Sequence, residues 1–168
     1  MAVTFEELKT NDFSAILEMS EMASEIWHDH YDPIIGRAQV DYMIERFLSE
    51  GAIVWQLAHG YRYYFVMAAG RKVGFFAYCL REDALYLSKL YLRRSERGKG
   101  YSRAILGHLI DRARQSGLPA IELNVNKHNE SSIAVYEHLG FRRIRAEKND
   151  IGAGYYMDDY VYWVEVDA

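Results

Sequence analysis

Residues 85–102 read Leu85-Tyr86-Leu87-Ser88-Lys89-Leu90-Tyr91-Leu92-Arg93-Arg94-Ser95-Glu96-Arg97-Gly98-Lys99-Gly100-Tyr101-Ser102. The first half is apolar and strand-like, the second polar and glycine-bearing, and a segment with Ala104, Ile105, Leu109 and Ala113 on one side follows. This reads as strand, loop, helix. The first backbone N–H groups of a helix have no partner within it, so the loop is a place for phosphate. Gly98 and Gly100 carry no Cβ to keep an anion off the backbone, and Arg97, Lys99 and Arg103 add positive charge. The competing reading is a solvated basic loop whose glycines only make a turn. Two nucleotide motifs are absent: Lys99 is followed by Gly100 where a P-loop has Ser or Thr, and Arg103 stands where a dinucleotide fingerprint has its third glycine.

Upstream, residues 61–69 are dense in aromatic and β-branched side chains, Gly70-Arg71-Lys72 reads as a turn, and residues 73–80 read as the returning strand. With residues 85–93 the middle of the chain becomes a meander. Val3 and Phe5 suggest a short first strand. Asn11-Asp12 offers a cap to a long amphipathic helix carrying Ile16, Leu17, Met19, Met22, Ala23 and Ile26. Its end is expected near His30-Tyr31-Asp32-Pro33, because proline disfavours helical geometry in the residue before it. A second helix, with Val40, Met43, Ile44 and Phe47 on one face, runs to about Ser49, and residues 51–59 suggest a further short one. Downstream, Gly117 and Pro119 stop the helix that opens after the loop. Ile121, Leu123 and Val125 form another strand, residues 129–139 a helix closed by Gly140, and residues 141–146 and 160–166 two more strands. The alternation is that of an α/β domain.

The chain has 168 residues, half of them hydrophobic, which is enough for one sizeable core, so residues 1–168 are read as a single domain. Twenty-four acidic against 20 basic side chains give a formal charge of −4 without long runs of either sign, which argues against nucleic acid as the partner. The one cysteine, Cys79, forms no internal disulfide, and no Cys/His cluster has zinc-ligand spacing. The beginning of the chain lacks a basic region followed by an apolar run, and no segment is apolar for long enough to cross a bilayer. A reducing cytoplasm, no membrane and no metal are the expectations.

The loop resembles the phosphate loop of the GNAT superfamily of N-acetyltransferases, whose pattern is Arg or Gln, two residues, Gly, one residue, then Gly or Ala. Residues 97–102 match, with Ser102 as a small-residue departure. A second block, Asn129-Glu130-Ser131-Ser132-Ile133-Ala134-Val135-Tyr136 followed by Leu139-Gly140-Phe141, is similar to the family's other CoA-contacting segment. The two blocks stand in the family's order, and the likeness runs from Tyr61 to the end of the chain. It implies an α/β (α+β) fold: a mixed, mainly antiparallel central sheet of six to seven strands flanked by four to five helices. Acetyl-CoA is implied as co-substrate, in the split between the strand of residues 85–93 and that of residues 121–125. Arg97, Gly98, Lys99, Gly100, Tyr101 and Ser102 would hold its pyrophosphate, and Leu90, Tyr91 and Leu92 would bond the pantetheine arm like an added strand. Asn129 would touch that arm, and Tyr136 would lie near the thioester sulfur.

Tyr136 is therefore the expected general acid for the departing thiolate, against the alternative of a core aromatic among Ile133, Val135 and Leu139. The base is not evident. In the family it resembles, some members place a Glu on the fourth or fifth strand, where Tyr86 and Asn124 stand here; Glu122, Asp158 and Asp159 are possible substitutes more in keeping with surface or turn carboxylates. His28 and His30 are read as helix-end caps, with Trp27 and Tyr31 beside them, and Tyr61, Tyr63 and Tyr64 as packing aromatics rather than an acceptor wall. Cys79, in an apolar strand, is read as inert. The function implied is acetyl transfer to a primary amine of a small molecule or peptide by direct attack in a ternary complex. A non-catalytic CoA-binding or sensor domain and a protein N-terminal or lysine acetyltransferase are the rivals, and a homodimer is left open.

Overall fold

The computed structural model describes residues 2–167. In chain order the elements are β1 (Val3–Glu7), α1 (Phe13–Ile35), α2 (Arg37–Phe47), α3 (Glu50–Ala58), β2 (Arg62–Ala68), β3 (Arg71–Leu80), β4 (Leu85–Leu92), a 3-10 turn (Arg94–Glu96), α4 (Tyr101–Gln115), β5 (Ala120–Asn126), α5 (Glu130–His138), β6 (Arg142–Gly152) and β7 (Tyr155–Glu165). The strands form one sheet in the order β1-β2-β3-β4-β5-β7-β6. β1 with β2, β2 with β3, β5 with β7 and β6 with β7 run antiparallel. β4 with β5 is parallel, in the register Leu85↔Ile121, Tyr86↔Glu122 and Leu87↔Leu123. A mixed, mainly antiparallel sheet of seven strands with five helices among the described residues is the architecture that the resemblance implies.

The described residues form two compact units, one of residues 2–79 and 89–104, the other of residues 80–88 and 105–167. In the first, α1 buries Ile16, Met19, Met22, Ala23, Ile26 and Trp27, the stripe that its 3.6-residue period places on one face. Asp12 caps it, accepting a hydrogen bond from the Ala15 N–H at 3.1 Å. The β2–β3 hairpin turns at Ala69 and Gly70, both with positive φ, one residue earlier than the sequence suggested. Its register slips between Val66 and Met67. There β3 presents Gly74 to β4, where a Cβ would stand 2.3 Å from the Tyr91 carbonyl oxygen. In the second unit Ile105, Leu109 and Ala113 of α4, Ile121 and Leu123 of β5 and Val161 of β7 are all buried.

Two further boundaries differ from the sequence reading. Helix α1 does not end before Pro33 but runs through it to Ile35. A proline inside a helix leaves the carbonyl four residues earlier without its N–H partner. That carbonyl is Asp29's, and the Arg94 guanidinium supplies the missing donor from Nη2 at 3.0 Å while its Nε bonds Asp29 Oδ2 at 3.2 Å. The second difference is the last hairpin, whose strands are longer than expected and meet at Ala153 and Gly154, both with positive φ. Asp158 and Asp159 consequently sit inside β7 and not in a turn before it.

Candidate active site

Residues 97–102, read from the sequence as a place for phosphate, lie in the first unit. β4 ends at Leu92, the 3-10 turn follows, and α4 starts at Tyr101, with the Ala104 N–H bonded to the Gly100 carbonyl at 3.3 Å. Gly100 thus caps a 15-residue helix whose first N–H groups are the donors that an anion would use. Gly98 and Gly100 have φ of 75° and 83°, in the left-handed region, and a Cβ on either would meet no atom within 4 Å. The space over the glycines is open, as a cradle for a phosphate group requires.

The charges are arranged differently from the simple expectation. Buried Glu96 receives Lys99 Nζ at 3.0 Å and Arg71 Nη1 at 3.1 Å, and the Lys99 hydrogen bond, with Arg71, holds its carboxyl below the usual carboxylate range. Lys99 therefore braces the loop through Glu96. Arg97 donates from Nε to the Leu92 carbonyl at 3.3 Å; burial, and then the charge of Arg94 beside it, lower its pKa from the ordinary value. Both cations shape the backbone that the glycines expose.

At the end of β4 the Tyr91 side chain is taken up by α1: its hydroxyl lies 2.9 Å from that of Tyr31 and its ring edge-on to Trp27 at 5.6 Å. Leu92 is buried and Leu90 half-buried. His28 links two helices, with Nδ1 2.8 Å from Asp32 and Nε2 3.0 Å from Asp41, and His30 packs edge-on to Tyr31. Neither histidine is the terminal cap that the sequence suggested, since α1 continues past both. Tyr63 is fully buried and donates to Gln56 Oε1 at 2.6 Å, and Tyr64 stacks on Phe76, so these two are packing residues. Lys89 shares Gln56 Oε1 at 3.3 Å, and its burial pushes its pKa down to about 8. The alternating strand pattern put a lysine at an inward position without saying what would receive it.

In the second unit Asn129 is almost fully buried and caps α5, accepting from the Ser132 N–H at 3.4 Å. Helix α5 buries none of its residues. Tyr136 is accordingly half-buried, its ring edge-on to Phe141 at 5.5 Å, and is not enclosed among Ile133, Val135 and Leu139 as the packing alternative required.

The same unit gathers the base candidates. Glu122 is buried between Arg81 and Arg145, each at 3.3 Å, which makes it the centre of an ion-pair cluster rather than a surface carboxylate. Tyr86 and Asn124 bond each other: the Tyr86 hydroxyl donates to Asn124 Oδ1 at 3.1 Å. Asn124 Nδ2 in turn donates to Glu147 Oε2 at 3.3 Å and Asp159 Oδ2 at 3.4 Å. Arg145 holds Glu147 below the usual carboxylate range. Asp159 is 3% exposed, and its burial pushes its pKa up to about 6, with Asp158 and Glu147 adding to the rise and Asn124 and Lys127 opposing it. Asp158 pairs with Lys127 at 3.0 Å. Pairing of the long β6–β7 hairpin, which sets Glu147 opposite Asp159, is what the sequence reading missed.

Among the described residues no group of three or more His, Cys, Asp or Glu is placed to hold a metal ion. No helix among them is long and apolar enough to cross a membrane.

Known proteins resemble this chain over parts of its sequence and in its fold. An L-2,4-diaminobutyric acid acetyltransferase of Nocardia farcinica is 32% identical over 77 residues, 44% of this chain and 40% of that protein. The [ribosomal protein bS18]-alanine N-acetyltransferase of Escherichia coli K12 is 39% identical over 51 residues, 30% of this chain and 34% of that protein. The matched stretches span well under half the length of these curated relatives. The crystal structure of PaiA N-acetyltransferase from Thermoplasma acidophilum, in complex with coenzyme A, superposes with a TM-score of 0.77 at 17% identity, covering 98% of this chain and 99% of the other. The model of the Acetyltransferase (GNAT) family matches residues 19–141, and with more than half of its length matched the chain belongs to that family.

Proposed function

We propose that the protein transfers an acetyl group from acetyl-CoA to a primary amine by direct attack in a ternary complex. The observation that carries this reading is the open, two-glycine loop at the N-terminus of α4. The pyrophosphate would accept hydrogen bonds from the backbone of residues 97–102, and the backbone of residues 90–92 would bond the pantetheine arm. Asn129 would contribute by fixing the start of α5. Tyr136 would then give a proton to the departing sulfur, a role open to a half-buried phenol and closed to an enclosed one.

The acceptor belongs to one of two classes, a small amine or a peptide terminus. The names of the relatives include one of each: diaminobutyric acid and an alanine of a ribosomal protein. Release of free thiol from acetyl-CoA, followed with spermidine, 2,4-diaminobutyrate and a short alanine-led peptide, tests the reading. Amine-dependent turnover with any of them supports it. Tight CoA binding without turnover would make the chain a binding or sensor domain.

Tyr136→Phe is expected to lower kcat roughly 10–100-fold with little change in the KM for acetyl-CoA, because only a proton transfer made as the thiolate departs is lost. An unchanged kcat in single-turnover measurements would leave water or the amine itself as the acid.

A further inference from the structure

Strand β4 pairs with β5 at residues 85–87 and runs on beyond that pairing to Leu92, and its last stretch lies in the first unit with the glycine loop. The backbone there has two edges. On one, the Arg93 N–H bonds the Val73 carbonyl at 2.9 Å, and a Cβ on Gly74 would come within 2.3 Å of the Tyr91 carbonyl oxygen. Residues 91 and 93 therefore turn their peptide groups towards β3, and by the alternation of an extended strand residues 90 and 92 turn theirs to the other edge. On that edge the Leu92 carbonyl accepts from Arg97 Nε at 3.3 Å, which leaves the Leu92 N–H and both peptide groups of Leu90 facing an added strand.

Such an edge bonds a ligand well only where its roll is fixed, and α1 fixes it. Trp27, His30 and Tyr31 recur at i, i+3 and i+4 on one face of α1, and all three are buried. The Tyr91 ring meets Trp27 edge-on at 5.6 Å and Tyr31 at 5.9 Å, and lies tilted on Phe75 of β3 at 5.7 Å. Ring packing resists separation but has little direction. Trp27 adds no tether, since its indole N–H has no acceptor among the described residues. The directional contact is between the hydroxyls of Tyr31 and Tyr91, 2.9 Å apart. A hydroxyl at the far end of a rigid ring works as a lever: holding it sets the rotation of the strand about its own axis, and with it the aim of residues 90 and 92.

The continuation of α1 through Pro33 is what gives the lever a firm seat. A helix ending before the proline would leave Tyr31 in a fraying turn, whereas the helix that runs to Ile35 keeps it one turn inside. Arg94, bonded to the Asp29 carbonyl and carboxylate, secures the same turn.

We propose that Tyr31 is a positioning residue for acyl-CoA, which through its hydroxyl contact with Tyr91 sets the roll of residues 90–92 and hence the hydrogen bonds made to the pantetheine arm. This rests on the reading that the backbone of residues 90–92 bonds that arm. The glycine loop is shaped separately, by Gly98, Gly100 and the Glu96–Lys99 pair, so the nucleotide half of CoA does not depend on Tyr31.

The test compares CoA with its nucleotide half, 3′-phosphoadenosine 5′-diphosphate, by calorimetric titration into the parent, Tyr31→Phe, Tyr91→Phe and the double variant. Tyr31→Phe keeps the ring and removes only the oxygen. It is expected to weaken CoA binding about fivefold, the size of one neutral hydrogen bond, and to leave binding of the nucleotide half unchanged. In thiol-release assays with the best of spermidine, 2,4-diaminobutyrate and the alanine-led peptide, the KM for acetyl-CoA should rise by a like factor with kcat within about twofold of the parent's. The double variant should bind CoA no more weakly than the weaker single one, because two hydroxyls that act through one contact are not additive. Unchanged CoA affinity in Tyr31→Phe would overturn the assignment. Equal weakening of CoA and its nucleotide half would also overturn it, as a general loss of structure, and so would additive losses in the double variant. The expected split in affinity without turnover of any amine would uphold Tyr31 and overturn acetyl transfer. A parent that binds no CoA would overturn both.

Discussion

Gly100→Val is expected to reduce CoA affinity on the order of 100-fold, equivalent to about 2.7 kcal/mol, while the protein remains folded. Gly100 has a φ of 83°, where a β-branched residue is a marked outlier, and its carbonyl caps the first turn of α4. Valine would distort the turn that aims the helix N–H groups and would project side-chain atoms into the space left open above the loop. Conformational strain alone would weaken the fold, so a control is needed. Gly60 has a φ of 90° and equally open surroundings, and Gly60→Val should incur comparable strain with CoA affinity intact. Calorimetric titration of CoA into both variants decides the matter. Equal affinity in Gly100→Val and the parent would remove the loop from the binding site.

Gly74→Ala is expected to lower the melting temperature by roughly 10 °C, from a destabilisation of about 3 kcal/mol in a chain of this size. One methyl group is enough because its carbon would lie 2.3 Å from the Tyr91 carbonyl oxygen, 2.8 Å from Leu92 Cδ2 and 3.0 Å from Leu92 Cα. Two of these neighbours are backbone and cannot rotate away, so β4 itself must move. Residues 91–92 belong to the segment proposed to bond the pantetheine arm, and CoA affinity should fall along with stability. A differential-scanning melt unchanged from the parent would show that β3 and β4 part without resistance.

The backbone of the glycine loop and of the start of α5 was legible in the sequence because each is local, set by a few consecutive residues. The α1 boundary was not, since the usual effect of Pro33 is reversed by a donor 61 residues further on, Arg94, which takes the freed carbonyl. The carboxylate cluster was legible only in part. Asp159 and Glu122 could be named as candidates, but the burial of one and the double arginine pairing of the other follow from strand register, which no single segment specifies. Lys99 shows the same limit at close range. Its place in the motif suggests a phosphate contact, while Glu96, three residues earlier, engages it first.

Arg94 holds both the carbonyl and the carboxylate of Asp29 from the turn that leads into the glycine loop. That clasp ties the turn of α1 before Pro33 to the entrance of the loop. Whatever free energy the clasp couples acts equally in both directions, so a ligand that favours the clasped loop favours the clasped helix end to the same extent. Slower hydrogen exchange at the Gly36 amide, which bonds the Asp32 carbonyl at 3.0 Å, is the expected result of adding CoA, and unchanged exchange would show that the clasp passes nothing on.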